Sequence, residues 1–184
     1  MNNMIQEDET QAKEEIILVD EEDKPIGSEE KIKAHEDGGK LHRAFSIIIF
    51  NSRGQMLLQL RARKKHHFGG LWTNACCSHP RKGEDLETAV HRKLKQELGF
   101  DTDLKELFKF TYKATDPGSS LTEHEIDHVF LGTYDSDIKP NPDEVDELKW
   151  ADTDELKRDI EAHPEKYSPW FKILIDRVLE AVKS

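Results

Sequence analysis

Two short segments of the chain hold side chains that can transfer protons. WTNACCSHP contains Cys77 and His79, and TEHEID contains Glu123 and Glu125, each pair two residues apart. Alternate side chains share one face of an extended backbone, so each pair is predicted to point into one cavity. Thiols, imidazoles and carboxylates are common general acids and bases. Each group also has an ordinary interpretation, as a small core residue, a hydrogen-bonded histidine or a solvated acidic strand edge.

Two further histidines lie on either side of a flexible loop. His35 and His42 flank a pair of glycines whose conformational freedom could let both rings turn toward one point. Either ring could equally lie on the surface, and sequence spacing does not establish that the groups converge. Three imidazoles and two carboxylates would suit a divalent zinc, manganese or iron ion. The candidate ligands are His35, His42, His79, Glu123 and Glu125.

Basic residues cluster in a chain that is otherwise acidic. The 184 residues carry a formal net charge of -11, which argues against broad electrostatic binding to nucleic acid or anionic lipid. A polyanionic ligand would therefore need a local basic pocket. Such a cluster can neutralise a diphosphate, although surface solubility explains it equally well. Its members are Lys31, Arg61, Arg63, Lys64 and Lys65, with His66 and His67 beside them.

Three large aromatic residues lie beside these segments. Trp72, Tyr112 and Trp170 occur in LWTN, FTYKATDP and SPWF. Such side chains are usually part of a core, but one aromatic face could instead stabilise a cationic substrate.

The helix predicted over residues 86–99 carries a carboxylate on its apolar stripe. At about 100° per residue, Glu97 projects close to Val90, between Leu86 and Leu94. An unpaired buried carboxylate is unfavourable, so Glu97 should meet a cation, a metal or several donors. Alternatively, Glu97 forms a structural salt bridge, or its side chain extends past the apolar stripe so that its charge reaches solvent.

The remaining elements predict an α+β fold, with a mixed β-sheet core flanked by helices. An opening hairpin is expected from Ile16–Val19 and the turn DEEDKPIG, and a second from Phe45–Phe50 and Met56–Leu60. Gly99 is expected to cap the helix. Irregular alternation of strands and helices argues against a regular βαβ repeat. Further strands are predicted at 107–113, 128–134 and 147–150, and helices at 153–162 and 169–182.

The length fits one domain. Residues 1–14 are polar and acidic and are expected to form a disordered tail, with a single domain over 15–184. No apolar run approaches a bilayer span and the start resembles no signal peptide, so we expect a cytoplasmic protein. Cys76 and Cys77 are adjacent, too close for an unstrained disulfide, and are expected to be free thiols. Alternation should turn Cys76 away from Cys77.

Five motifs, in order, resemble the type I isopentenyl-diphosphate isomerases. They are KIKAHEDGGKLHRAFS, LWTNACCSHP, LKQELGF, YKATDPGSSLTEHE and SPW. The resemblance spans residues 15–184 and implies a Nudix-like fold. It also implies interconversion of isopentenyl and dimethylallyl diphosphate, through a tertiary carbocation, in isoprenoid biosynthesis.

The chain departs from the hydrolytic Nudix box, G-x5-E-x7-R-E-U-x-E-E-x-G-U. Aligned on Gly99, it retains Glu84, Arg92 and Glu97, but two acidic positions are occupied by Lys93 and Gln96 and the first glycine by Ser78. Loss of two carboxylates argues against pyrophosphate hydrolysis. A Nudix hydrolase is nevertheless the second interpretation, and a non-enzymatic protein that a metal stabilises is the third.

The resemblance also implies roles for individual residues. It makes Cys77 and Glu125 the catalytic pair, with Tyr112 beside Glu125. His35, His42, His79, Glu123 and Glu125 would bind one Mn²⁺ or Zn²⁺, and Glu97 would help hold Mg²⁺ on the diphosphate. The only partner expected is this small-molecule substrate, with no nucleic acid or membrane, and we expect a monomer. The substrate contacts implied are Lys31, Arg61, Lys65, Lys93 and Trp170.

Overall fold

A computed structural model describes residues 14–183, so all of the expected tail except Glu14 lies outside the described residues. The strands in this range are β1 (Glu15–Val19), β2 (Pro25–Glu30), β3 (His42–Phe50), β4 (Met56–Arg61), β5 (Trp72–Thr73), β6 (Cys76–Ser78), β7 (Lys105–Thr115), β8 (Thr122–Thr133) and β9 (Val145–Ala151). The helices are α1 (Lys31–His35), α2 (Leu86–Leu98), α3 (Thr153–Ala162) and α4 (Pro169–Lys183), with a 3₁₀ turn at Pro164–Lys166.

Strand β3 is the centre of a mixed sheet that is covered on both faces. Phe45, Ile47 and Ile49 pack in a core with α2, whereas Ile48 and Phe50 pack in a second core with α4. This alternation follows from the two-residue period of a strand. The nearly continuous apolar run of β3 is typical of a strand buried on both faces. The expected α+β architecture is confirmed.

The longest pairing of β3 joins distant parts of the chain. β3 runs parallel to β8 over nine residue pairs, from His42 opposite Glu125 to Phe50 opposite Thr133. β7 pairs antiparallel with the other edge of β8 and places Tyr112 opposite Glu125. These two registers set His42, Glu125 and Tyr112 in one row across three strands. β6 adds a short antiparallel edge, in which Cys77 lies opposite Ser46.

Most elements agree with the sequence prediction. β1 and β2 form the opening hairpin, and the turn after β3 is closed by a hydrogen bond from the Asn51 amide to the Gln55 carbonyl (3.0 Å). Only Phe50 and Met56 pair between β3 and β4, because β4 pairs mainly with β9. β8 begins six residues before its prediction, at Thr122, since the acidic residues of TEHEID are buried strand residues. Helix α1 was not predicted.

Helix α2 is capped at both ends, and its C-terminal cap is the glycine that the sequence predicts. The Asp85 carboxylate accepts a hydrogen bond from the Thr88 amide (2.8 Å), and Gly99 ends the helix at φ 74°. The Glu97 carbonyl accepts a hydrogen bond from the Asn141 amide (2.8 Å). The end of α2 therefore holds the loop before β9 against the helix.

No helix in the described part of the chain has both the length and the apolar character needed to cross a membrane.

Replacing Gly99 by alanine should destabilise the protein more than the same change at Gly54. Both have left-handed backbones, with φ of 74° and 75°, but a Cβ at Gly99 would lie 2.7 Å from the Lys139 carbonyl oxygen, whereas nothing lies within 4 Å of one at Gly54. We expect Gly54→Ala to cost about 1–2 kcal/mol of unfolding free energy, and Gly99→Ala about 1–3 kcal/mol more because of the overlap. Urea denaturation measures both, and equal losses would contradict the proposed close approach.

Candidate active site

One cavity of about 410 Å³ contains nearly all of the predicted site residues. Trp170 lies at the start of α4 and Glu97 near the end of α2, so both flanking layers contribute to its wall. Every predicted catalytic and substrate-binding residue lines it, as do Glu97 and three of the five candidate ligands of the His/Glu cluster. These lining residues are Lys31, Arg61, Lys65, Cys77, His79, Lys93, Glu97, Tyr112, Glu123, Glu125 and Trp170. His35 and His42 lie behind this wall and are fully buried.

The five candidate ligands converge although they come from four segments of the chain. One nitrogen or oxygen atom from each of His35, His42, His79, Glu123 and Glu125 lies within 4.8 Å of the others. Their side chains are at most 9% exposed. β8 carries both carboxylates, and its pairing with β3 brings His42 beside Glu125. The convergence that sequence spacing left open is therefore present in the structure.

The hydrogen bonds around the cluster orient its rings for a cation. His35 Nδ1 donates to the Lys31 carbonyl (2.6 Å) and His42 Nδ1 donates to the Lys40 carbonyl (2.8 Å). Each Nε2 then faces a carboxylate, at 2.9 Å for His35 with Glu123 and 3.3 Å for His42 with Glu125. Backbone carbonyls hold metal-binding histidines in this tautomer. Buried imidazole nitrogens and carboxylate oxygens that point toward one position are suitable ligands for a divalent transition-metal ion.

The two carboxylates have opposite electrostatic environments. Burial opposes ionisation of Glu123, but His35 and His67 outweigh this effect and lower the pKa of Glu123 well below its usual range. Burial, together with the negative charge of Glu123, raises the pKa of Glu125 well above its usual range. Burial, with a smaller contribution from His35, lowers the pKa of His42 to about 3. With these protein groups alone, Glu125 therefore holds its proton more strongly than an ordinary glutamate does.

Glu125 has two further polar contacts. The Tyr112 hydroxyl donates to Glu125 Oε2 (2.5 Å), and His79 Nε2 lies 2.7 Å from Glu125 Oε1. Tyr112 remains protonated, because burial raises its pKa well above the usual value. The carboxyl group is thus held on both oxygens at the cavity wall.

Cys77 and Cys76 lie in different environments, as alternation predicts. Cys77 lines the cavity, whereas Cys76 is fully buried in the core against α2. Burial raises the pKa of Cys77 to about 11, although Arg61 opposes this rise. Arg61 Nη1 lies 3.5 Å from the Cys77 sulfur atom. Cys77 is therefore a thiol beside a cation, Arg61, that favours its thiolate form.

Trp170 presents an aromatic surface to the cavity. Its ring packs against Phe68 (5.5 Å between centroids) and Tyr112 (6.3 Å). The Arg61 guanidinium carbon lies 5.2 Å from the Trp170 ring centroid. This ring surface is thus already in contact with a cationic group.

The buried Glu97 meets cations, as the helix pattern predicts. Its Oε1 lies 3.0 Å from Lys93 Nζ, and its Oε2 accepts a hydrogen bond from Gln59 (3.2 Å). Burial alone would raise the pKa of Glu97, but the charges of Lys93 and Lys65 lower it to about 2. Burial lowers the pKa of Lys65 to about 7. Glu144 contacts Lys65 and lies 3.7 Å from Lys93.

Sequence reasoning named two residues, one basic and one aromatic, that belong neither to the cavity wall nor to the ligand cluster, and it gave no individual role to several polar residues that line the cavity. Among the described residues, Arg63 and Trp72 are not part of its lining, and the Trp72 ring instead packs on Lys149 Nζ (4.0 Å). Among these lining residues are His67, which was named only as a neighbour of the basic cluster, and the acids Asp127 and Glu144. His67 lies within the basic cluster. The two acids are next to apolar residues in the sequence, and this proximity was the only signal that they could be buried.

Known proteins resemble this chain over most of its length. The NUDIX domain model matches residues 40–171. A protein of Aromatoleum aromaticum named isopentenyl-diphosphate Delta-isomerase 2 is 48% identical over 90% of this chain and 87% of its own length. One of the same name from Photorhabdus laumondii is 48% identical over 88% and 90%. An isopentenyl-diphosphate Delta-isomerase of Halorhodospira halophila is 45% identical over 88% and 93%.

Solved structures show the same fold at low sequence identity. A Deinococcus radiodurans protein has a TM-score of 0.75 at 21% identity, over 89% of this chain and 98% of its own. A MutT protein of Methanosarcina mazei has a TM-score of 0.65 at 19% identity, over 78% and 96%.

Breaking the Lys93–Glu97 pair should cost more than removing both partners. Lys93→Met leaves Glu97 buried with one cation fewer, and we expect a loss of about 3 kcal/mol of unfolding free energy. The double variant Lys93→Met with Glu97→Leu also removes the buried carboxylate, so it should be more stable than Lys93→Met alone. Urea denaturation of these two variants and of the single variant Glu97→Leu measures the coupling.

The control lies on the same helix. Lys95 is 61% exposed and pairs with Asp101 at 2.9 Å, so Lys95→Met should cost less than about 1 kcal/mol. Additive losses at Lys93 and Glu97, or an equal loss at Lys95, would contradict a buried charge pair.

Proposed function

The chain belongs to the NUDIX domain family and, within it, to the isopentenyl-diphosphate Delta-isomerases, and on that premise we propose that its cavity interconverts isopentenyl and dimethylallyl diphosphate. The observation that supports this reaction is the meeting of two proton-transfer groups, Glu125 and Cys77, with an aromatic surface and a basic cluster in one cavity. An alkene shift requires addition of a proton to one carbon and removal of a proton from another.

The basic end of the cavity would bind the diphosphate. Ammonium and guanidinium groups neutralise phosphate oxygens, and the contacts proposed are Lys31, Arg61, Lys65 and Lys93. Glu97 would help hold Mg²⁺ on the diphosphate, because Mg²⁺ prefers oxygen ligands. The hydrocarbon would then lie toward Trp170.

Glu125 would donate one proton to the substrate, and Cys77 would remove another from it. The Glu125 carboxyl group, held by Tyr112, adds its proton to the terminal alkene carbon and leaves a tertiary carbocation. The thiolate form of Cys77, stabilised by Arg61, takes a proton from C2, and the new double bond forms between C2 and C3. Exchange with water resets both groups, and the reverse reaction exchanges their roles.

The carbocation must be kept from water, which would trap it as an alcohol. Trp170 is buried and its ring can stabilise the positive charge by cation–π attraction. The five-residue cluster would hold one Mn²⁺ or Zn²⁺, which when bound supplies a fixed positive charge that orients Glu125 and tunes its acidity.

Two of the retained Nudix-box residues have a structural role. The Arg92 guanidinium donates to both oxygens of Glu84, at 2.6 and 2.8 Å, and among the described residues neither lines the cavity. Glu97 is thus the retained acid of the box that faces the substrate pocket. This arrangement favours the isomerase over the hydrolase.

Incubation with isopentenyl diphosphate and Mg²⁺ in deuterated water tests the reaction. NMR should detect dimethylallyl diphosphate that carries deuterium, and chelator treatment should abolish turnover until Mn²⁺ or Zn²⁺ is restored. Released phosphate would support the hydrolase instead. Unchanged substrate with the metal-loaded protein would overturn the proposal, and full activity after chelation would overturn its metal requirement.

The adjacent cysteines provide a matched pair of variants. Cys77→Ala should lower kcat by about 10²–10⁴-fold, the usual contribution of a general acid or base. Cys76→Ala should retain activity, because its side chain lies in the core against α2. Steady-state kinetics measure both, with circular dichroism to verify folding. Comparable losses in the two variants would rule out a specific proton-transfer role for Cys77.

A further inference from the structure

His67 contacts the ligand cluster from outside. It is 7% exposed, and its Nε2 lies 2.5 Å from Glu123 Oε1. His35 Nε2 lies 2.9 Å from the other oxygen, Oε2. The Glu123 carboxylate is therefore held between two imidazoles, although among the described residues His67 is not in the group whose ligand atoms lie within 4.8 Å of one another.

The loop that carries His67 is fixed at several points. Arg61 donates from Nη2 to the His67 carbonyl (3.2 Å) and from Nε to the Phe68 carbonyl (3.0 Å). The Phe68 amide donates to Asp116 Oδ2 (3.2 Å). A Cβ at Gly69 would lie 2.9 Å from the Arg63 carbonyl oxygen, so the loop turns back closely on itself. These contacts determine where the His67 ring can lie.

The ring has one buried nitrogen with no hydrogen-bond partner among the described residues, Nδ1. An ionised Glu123 only accepts hydrogen bonds, so Nε2 must carry the proton that is shared with it. Nδ1 is then a bare acceptor in the neutral ring. In this tautomer the only N–H group of the His67 ring donates to Glu123.

We propose that His67 is a positioning residue that fixes the Glu123 carboxylate for metal binding. Its Nε2–H holds Oε1 and thereby fixes the rotation of the carboxylate, so that Oε2 faces His35 and the other ligands. The inference rests on the proposed metal site and assigns to that site a sixth residue, which acts through Glu123. Hydrogen-bond partners of metal ligands typically contribute about 10–100-fold to metal affinity.

Two amide variants of different length test the role of this hydrogen bond. The amide nitrogen of His67→Gln reaches about as far as Nε2, whereas that of His67→Asn is too short to contact Glu123. Full-length proteins are stripped with chelator, and the dissociation constant for Zn²⁺ is measured by competition with a chromogenic chelator. We expect His67→Asn to weaken Zn²⁺ binding by about 10–100-fold and His67→Gln to stay within about threefold of the parent protein.

A surface histidine serves as the control. His163 has a side chain that is 48% exposed, and His163→Gln should leave Zn²⁺ affinity unchanged. The thermal midpoints of the stripped proteins separate loss of affinity from loss of folding.

Each remaining result contradicts the proposal in a recognisable way. Equal affinity of His67→Asn and the parent would eliminate the positioning role and leave the metal site intact. Equal weakening by Asn and Gln would mean that His67 binds the ion directly. Failure of the parent protein itself to bind Zn²⁺ would overturn the metal site and this inference together.

Discussion

Two carboxylates buried side by side on one strand impose the constraint that the rest of the site satisfies. Glu123 and Glu125 are both buried on β8, and like charges in a medium of low polarity cannot both remain without compensation. Three histidines from other segments converge on them, and His67 and Tyr112 hold the outer oxygens. One acid is stabilised as a carboxylate and the other as a protonated group or a metal ligand. Because only one of the two buried carboxylates is easily kept as an anion, the other is favoured in a form that can donate a proton.

The cavity lining contains two clusters of charged side chains. In one, histidines lie against Glu123 and Glu125, and in the other Lys93 pairs with Glu97 and lies near Glu144. Arg61 contacts the Cys77 sulfur, the Trp170 ring and the loop of His67. A strongly acidic protein can therefore offer a local site for an anion, since the pocket rather than the net charge sets the local potential.

The parts that the sequence predicted are those governed by local periodicity. The spacing of Val90, Leu94 and Glu97 predicted both helix α2 and the burial of a carboxylate on it, and alternation correctly separated Cys76 from Cys77. Helix α1 has five residues, too few for a periodic signal. Convergence of the ligands depends on the β3–β8 pairing, which no local pattern encodes. His67 was missed for a similar reason, since its contact with Glu123 joins residues 56 positions apart.

The parallel pairing of β3 and β8 also determines when the site can form. His42 and Glu125 are separated by 83 positions, so their contact closes a long loop and belongs to the slow class of non-local pairings. During synthesis the histidines, Cys77 and the lysines leave the ribosome well before β8. A growing chain therefore exposes β3, in which six of nine residues are apolar, with its principal partner still missing. The nascent chain is thus vulnerable to aggregation until β8, at the start of the last third of the chain, has been made.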